Sequence, residues 1–177
     1  MKTPLPLPEA YALLEPGPVL LLSTAHRSQR NVMAMSWHSM LEFEPPLVGC
    51  VVAPGSLSHR LLRASSECVL NIPTEKIAAK VVGCGNTHGT QVDKFSLFGL
   101  ACSAARQVAA PLLDECYASL ECRVVDTDMV RKYGFFVLEV VGAWVDPKLK
   151  NPRTLHHRGY GSFMVAGRTI RLPSKMR

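Results

Sequence analysis

The fold is most constrained by a series of short apolar segments, rich in β-branched and aromatic residues and separated by turn residues. These segments lie at 18–25, 31–38, 47–52, 67–72, 112–128, 133–145 and 163–170. Helical periodicity is confined to two short stretches, 57–63 and 74–82, the second of which Thr74 could cap. The glycine-containing stretch 83–89 is predicted to be a loop. The pattern predicts a mainly β fold: an antiparallel barrel of six or seven strands with a few short peripheral helices. The stretch 163–170 is expected to close the barrel as a hairpin around Ala166 and Gly167.

Length and composition indicate one domain over residues 1–177. The proline-rich start, residues 1–14, is expected to form an arm that packs across a partner subunit or stays mobile. Hydrophobic residues make up 47% of the chain and charged residues 19%, which indicates a large core or a buried subunit interface. No targeting or membrane-spanning segment is evident, so we expect a cytoplasmic protein without a membrane partner.

The strand that begins at Asn31 carries polar and sulfur-containing side chains beside a flat ligand slot. Side chains alternate along a strand, so Val32, Ala34 and Ser36 share one face. The opposite face carries four larger side chains, those of Asn31, Met33, Met35 and Trp37. Ser36 leaves the backbone accessible to a planar aromatic ligand. The alternative is that the methionines and Trp37 simply pack in the core.

A second polar segment follows the apolar strand at 47–52. Ala53-Pro54-Gly55 ends that strand, and Ser56 or Ser58 can then cap a helix over 57–63. A helix N-terminus favours an anion, and His59 and Arg60 add donors beside it. The segment therefore predicts a phosphate site, although an ordinary capped surface helix has the same sequence features.

The chain is basic, with a formal net charge of +6 and a pI of about 9.1. Its basic residues are scattered, and no nucleic-acid recognition motif is present, so we predict no nucleic-acid partner. A positive surface would instead attract anionic nucleotides. The six cysteines include no Cys-x-x-Cys pair and are expected to be reduced. His156 and His157 are adjacent rather than ligand-spaced, so no metal site is predicted.

A set of landmarks spread over roughly residues 15–170 is similar to the flavin reductase-like family of FMN-binding split barrels, which includes flavoredoxin. The landmarks are Asn31, Ala34, Ser36 and Trp37; Pro45-Pro46; the segment 56–60; Asn71; Gly85-Asn86-Thr87-His88-Gly89 with Asp93-Lys94-Phe95; and, more weakly, His156-His157, Tyr160 and 163–167. Each motif is short, and their order along the chain carries the resemblance.

The resemblance implies a homodimeric split barrel with FMN bound near the subunit interface. It implies ring and ribityl contacts from the strand at Asn31–Trp37, with further contacts from Asn86, His88, Gly89 and Lys94. It assigns the phosphate to the segment with Ser56, Ser58, His59 and Arg60. His88 departs from the family, where a serine is usual, and the departure could alter which reductant is accepted.

No Ser-His-acid set or other general acid–base constellation can be assembled from the sequence, so no protein catalytic residue is predicted. Flavin hydride transfer requires none, because the cofactor carries the reactivity. The resemblance therefore predicts an NAD(P)H-dependent flavin reductase with NADH or NADPH as reductant. The alternatives are a flavoredoxin-like electron carrier serving a redox protein partner, a pyridoxamine-phosphate-oxidase-like enzyme, and a non-enzymatic haem- or flavin-binding protein.

Overall fold

The structure is a computed structural model that describes residues 2–14 and 17–174. Its strands are β1 (Thr3–Pro4), β2 (Leu20–His26), β3 (Gln29–Met35), β4 (His38–Glu42), β5 (Leu47–Val51), β6 (Glu67–Ile72), β7 (Cys102–Ser103), β8 (Leu112–Leu113), β9 (Ala118–Asp126), β10 (Phe135–Val145), β11 (Leu155–Gly159) and β12 (Ser162–Val165). Its helices are α1 (Tyr11–Leu14), α2 (Leu57–Ser65), α3 (Ala78–Asn86), α4 (Lys94–Leu97) and α5 (Val130–Tyr133), with 3-10 turns at Leu7–Glu9 and Glu75–Ile77.

The main sheet is antiparallel and runs in the order β3-β2-β6-β9-β10-β5-β4, with β1 paired to β10. β3 and β4 are therefore the two terminal strands, joined in sequence by Ser36 and Trp37 but not hydrogen-bonded as a ladder. The curved sheet encloses a core of fully buried side chains that includes Leu20, Leu70 and Phe136. The predicted antiparallel split barrel is confirmed.

A second hydrophobic cluster lies outside the barrel wall and fixes the peripheral elements. Val32 of β3 packs there with Val81 of α3, Phe95 of α4 and Leu155 of β11. The β11–β12 hairpin is anchored at its base, where the Val19 N–H donates to the Leu155 carbonyl at 2.7 Å. These contacts place α3, α4 and the hairpin around β3.

The N-terminal segment packs on its own barrel. Thr3 pairs with Val145 of β10, and Ala10 and Leu14 are buried in the core. Its regular structure is limited to the two-residue strand β1, one 3-10 turn and one turn of helix, as the prolines lead one to expect. The segment expected to form an arm is thus held by the chain itself.

All six cysteines are free thiols. Cys50, Cys68 and Cys122 are fully buried in the barrel core, where each behaves as a small apolar side chain. Burial raises the pKa of Cys84 to about 11 and that of Cys116 to about 12, which keeps both thiols protonated. None of the helices in residues 2–14 and 17–174 is long and apolar enough to cross a bilayer.

Three local predictions were wrong, the first of them at residues 83–89. This stretch is not all loop, because α3 continues to Asn86. Gly83 allows α3 to approach a neighbouring ring: a Cβ there would lie 2.5 Å from a Phe98 ring carbon. Thr74 does not cap a helix with its side chain; it precedes a 3-10 turn and forms a bridge with Thr154.

The C-terminal hairpin was also placed wrongly. It comprises β11 and β12 and turns at Tyr160-Gly161, not at Ala166-Gly167. The turn needs backbone with positive φ, and Gly159 (φ 95°), Tyr160 (φ 49°) and Gly161 (φ 75°) supply it. No strand follows Val165 among residues 166–174, where Ile170 and Leu172 are exposed.

Candidate functional site

Two cavities lie along β3, one near each end of the strand. The hairpin cavity, of about 470 Å³, lies between the end of β3, helix α3 and the β11–β12 hairpin. Its lining is Val19, Ala34, Met35, Ser36, Val81, Val82, Gly85, Asn86, His157, Tyr160, Gly161 and Phe163. The loop cavity, of about 360 Å³, lies at the start of β3 and is lined by 28–30, Leu57 and 89–93.

The strand that joins these cavities has a free edge. β3 pairs only with β2 in the sheet, so the alternate backbone N–H and C=O groups on its other edge have no strand partner. Among the described residues, the backbone of 30–36 makes no hydrogen bond outside that ladder. The seven residues of β3 span about 20 Å, a length suited to an extended mononucleotide.

Of the two serines predicted as candidate caps, Ser56 is the one that caps α2. Its Oγ accepts the N–H of His59 at 3.1 Å. The backbone N–H groups of Leu57 and Ser58 have no acceptor within the described part of the chain. Because Leu57 lines the loop cavity, these free N–H groups and the positive end of the helix dipole favour an anion at this end of β3.

Ser58 is turned inward. It is fully buried, and its Oγ accepts from Asn31 Nδ2 at 2.9 Å. Gly89 lies against the same amide: a Cβ at Gly89 would come within 2.0 Å of Asn31 Oδ1. Three of the predicted site residues, Asn31, Ser58 and Gly89, are therefore packed together. This close packing is possible because Gly89 has no side chain.

His59 and Arg60 lie in different environments. The His59 ring packs edge-on against the buried Phe136 ring, with centroids 5.4 Å apart, and burial together with nearby Arg63 lowers the pKa of this imidazole. Its Nε2 is buried and has no partner among the residues described. Arg60 is exposed and follows His59 on α2. Neither side chain lines the loop cavity, and of the two only Arg60 is exposed.

The loop cavity carries a cation that the sequence analysis did not select. Arg30 Nη2 lies 3.2 Å from Asp93 Oδ2, and its guanidinium stacks 4.3 Å from the Phe95 ring centroid. Arg30 lines the cavity with Gly89 and Asp93. It was missed because a single arginine in a polar turn carries no pattern, and its partner lies 63 positions away in sequence.

The Asp93-Lys94-Phe95 motif positions helices. Asp93 caps α4, accepting the Phe95 N–H at 3.0 Å, and Phe95 is buried in the outer cluster. Lys94 is buried, and its Nζ donates at 2.7 Å to the carbonyl of Cys84 in the last turns of α3. Lys94 thus lines neither cavity and acts on α3, whose Asn86 does line the hairpin cavity.

The remaining predicted residues divide into two groups. Ala34, Met35 and Ser36 line the hairpin cavity with Asn86, whereas Met33 packs toward the barrel core and Trp37 is 72% exposed beyond the end of β3. His88 is exposed on the short segment between Asn86 and Gly89, and therefore between the two cavities. His157, Tyr160 and Phe163, noted above only as weak landmarks, also line the hairpin cavity.

Comparison of the sequence with known protein families identifies the class of protein. The family model for the flavin reductase like domain matches residues 13–164, and the chain belongs to this family of FMN-binding split barrels. It is 32% identical over 181 residues to YddH, an uncharacterized protein of Escherichia coli strain K12, covering 94% of this chain and 96% of that one.

Solved structures agree with the family. An FMN-binding domain of a flavin reductases-like enzyme from Shewanella baltica has a TM-score of 0.92 at 25% identity, covering 98% of both chains. Flavoredoxin from Methanosarcina acetivorans has a TM-score of 0.79 at 26% identity, covering 89% of both chains. The fold around β3 is thus one on which flavin-binding proteins are built.

Proposed function

We propose that this protein binds FMN along β3 and acts as an NAD(P)H-dependent flavin reductase. The observation that carries the proposal is the free edge of β3 between two cavities of suitable size. Flavin rings are read through their polar edges, and unpaired backbone N–H and C=O groups are the donors and acceptors such an edge requires. Membership of the flavin reductase like family supports the same conclusion.

The ring would occupy the hairpin cavity. Ala34, Met35 and Ser36 would offer backbone groups and an apolar wall, and Asn86 would face them from α3. Asn31, Met33 and Trp37 would support this strand rather than touch the ring, since Asn31 is hydrogen-bonded to Ser58 and Met33 packs on the core. Gly89 and Lys94 would act in the same indirect way, by fitting against Asn31 and by holding α3.

The phosphate would lie at the N-terminus of α2. The free N–H groups of Leu57 and Ser58 would donate to it, with Ser56, Arg60 and Arg30 around the rim. Bound FMN supplies the hydride-accepting chemistry, and the chain supplies binding, orientation and exclusion of water. His59 would contribute by packing α2 onto Phe136.

The phosphate assignment is tested by Arg60→Ala, with the exposed Lys76→Ala as a charge-matched control. Loss of a charge-assisted hydrogen bond is worth about 1.5–3 kcal/mol, so the FMN dissociation constant should rise roughly tenfold or more. Fluorescence titration of the apo-protein measures it. An unchanged dissociation constant in Arg60→Ala would remove Arg60 from the site.

Anaerobic reduction tests the activity. The FMN-loaded protein should lose its flavin absorbance near about 450 nm when NADH or NADPH is added. A flavoredoxin-like carrier, supported by the similarity to the Methanosarcina acetivorans protein, would resist both nicotinamides and accept electrons from a low-potential redox protein. Bleaching by neither nicotinamide, with reduction by such a protein donor, would overturn the reductase assignment in favour of the carrier.

We also propose that residues 1–177 act as one domain in a cytoplasmic homodimer. The apolar side chains left exposed at the β4 end of the sheet support the dimer, since Trp37 is 72% exposed and Leu41 is 49% exposed. Six free cysteines suit a reducing compartment. Light scattering should give twice the chain mass, and a monomer at all concentrations would contradict the proposal.

A further inference from the structure

A third cavity lies away from both cavities of the candidate flavin site. It measures about 300 Å³ and is enclosed by the C-terminal half of α2, the end of β9 and helix α5. Its floor is apolar and includes Leu62 and Phe136, which are fully buried. Its rim is polar and consists of Arg63 and Ser66 from the α2 side and Thr127 and Arg131 from the α5 side. We call it the arginine cavity.

The two arginines come from separate elements and share no acid. Within residues 2–14 and 17–174, neither Arg63 nor Arg131 has an ion pair or a side-chain hydrogen bond. The same holds for the hydroxyl groups of Ser66 and Thr127 in that part of the chain. Four exposed side chains that can donate hydrogen bonds thus line one small space, and two of them are permanently charged.

The nearby acids lie outside the lining of this cavity. Asp126 and Asp128 flank Thr127 in sequence, but neither lines the cavity. The Asp126 carboxylate accepts the backbone N–H of Asp128 at 2.7 Å, and Glu67 is turned toward Arg123 and the Ala109 N–H. Neither α2 nor α5 contains an acidic residue. The lining of the cavity therefore carries two positive side chains and no carboxylate.

We propose that the arginine cavity binds a small ligand through a dianionic phosphoryl group. Two guanidinium groups match two negative charges, and their planar donors suit phosphate oxygens; hydroxyls from Ser66 and Thr127 would satisfy the remaining acceptors. The cavity shares no lining residue with either cavity along β3. It is thus a second anion site, separate from the one proposed for the FMN phosphate.

The test uses the full chain saturated with FMN, so that the α2 N-terminus is already filled. Inorganic phosphate is titrated by calorimetry at constant ionic strength, with acetate as a monoanion and glycerol phosphate as an organic phosphate ester. Phosphate should bind saturably and acetate should not. A tighter glycerol phosphate complex would identify an ester as the ligand, and equal affinities would identify free phosphate; both results support the site.

The variants Arg63→Ala and Arg131→Ala should each weaken phosphate binding about tenfold to a hundredfold. Lys148→Ala, which removes an exposed charge outside the cavity, should not. If an alanine variant fails to fold, Arg63→Lys and Arg131→Lys, which retain the charge, replace it in the titration. The proposal is overturned if the wild type does not bind phosphate, or if every variant binds it equally. It is also overturned if Arg63→Ala loses FMN affinity in parallel, because the two sites would then be one.

Discussion

Replacing Asn71 should destabilise the fold, because its buried amide joins four separate segments of the chain. Nδ2 donates to the Leu21 carbonyl at 3.0 Å and to Ser23 Oγ at 3.1 Å. Oδ1 accepts the Leu113 N–H at 2.9 Å and the Ser119 hydroxyl at 2.7 Å. The orientation of the amide is fixed, since a backbone carbonyl can only accept and a backbone N–H can only donate.

Replacing Asn71 with leucine keeps the number and branching of the side-chain heavy atoms and removes these four bonds, together with a longer one from Nδ2 to the Val69 carbonyl at 3.4 Å. A typical net contribution is about 1 kcal/mol per bond, and buried groups left unpaired cost more, so the unfolding free energy should fall by about 4–6 kcal/mol. That is a large share of the roughly 5–15 kcal/mol available to a domain. Ser119→Ala loses its bond to Asn71 and the one from Lys2 Nζ, so about 1–2 kcal/mol is expected.

Urea denaturation followed by circular dichroism measures both variants against the wild type, with equal m-values required for comparison. FMN titration of the folded fraction is the second readout. Asn71 lines none of the cavities along β3, so the FMN dissociation constant of the folded variant should not change. A loss of less than about 1 kcal/mol in Asn71→Leu would refute the calculation. A selective loss of FMN affinity would make Asn71 a ligand contact.

Three further predictions concern glycines and one histidine. Gly89→Ala should push the Asn31 amide off its partner and weaken FMN binding by tenfold or so in fluorescence titration, because the new Cβ would lie 2.0 Å from Asn31 Oδ1. Gly134→Ala should lower the unfolding free energy by at least about 1–2 kcal/mol in urea, because Gly134 has φ 65° and a Cβ would approach the Val52 carbonyl oxygen within 2.5 Å. Burial lowers the pKa of His38 in the folded chain, so the unfolded chain binds its proton more readily and stability should fall as the pH drops below about 6.5. His38→Gln should make that dependence shallower, and the share due to His59, whose pKa is also lowered, should remain.

The central strands were predictable because burial on both faces leaves a continuous apolar run. Residues 67–72 form β6 as predicted, and β5 begins at Leu47 as predicted. β4 was not predicted, because its side chains at the open end of the sheet are mostly exposed and show no apolar alternation. The predicted strand from Asn31 ends at Met35, so Ser36 and Trp37 form a junction rather than strand.

The candidate site was predictable where one residue has a local function. Ser56 before an apolar periodic stretch indicates a cap, and the cap is present. Arg30 could not be found in this way, because its importance comes from Asp93 and Phe95, which the fold brings to it from a distant segment. The predicted turn of the C-terminal hairpin was several residues too late. The turn lies at Gly159 to Gly161, which have positive φ, whereas the sequence analysis chose Ala166-Gly167.

Two residues of the Asp93-Lys94-Phe95 motif, Lys94 and Phe95, lie beside the candidate site without lining either of its cavities. Lys94 Nζ holds the Cys84 carbonyl, so the last turn of α3, with Gly85 and Asn86, is fixed at the wall of the hairpin cavity. Asp93 holds Arg30 at the loop cavity from the neighbouring position. One short motif thereby contacts an element at each of the two cavities. Lys94, predicted from the resemblance to contact the cofactor, thus contacts α3 at the wall of the hairpin cavity and does not line the cavity itself.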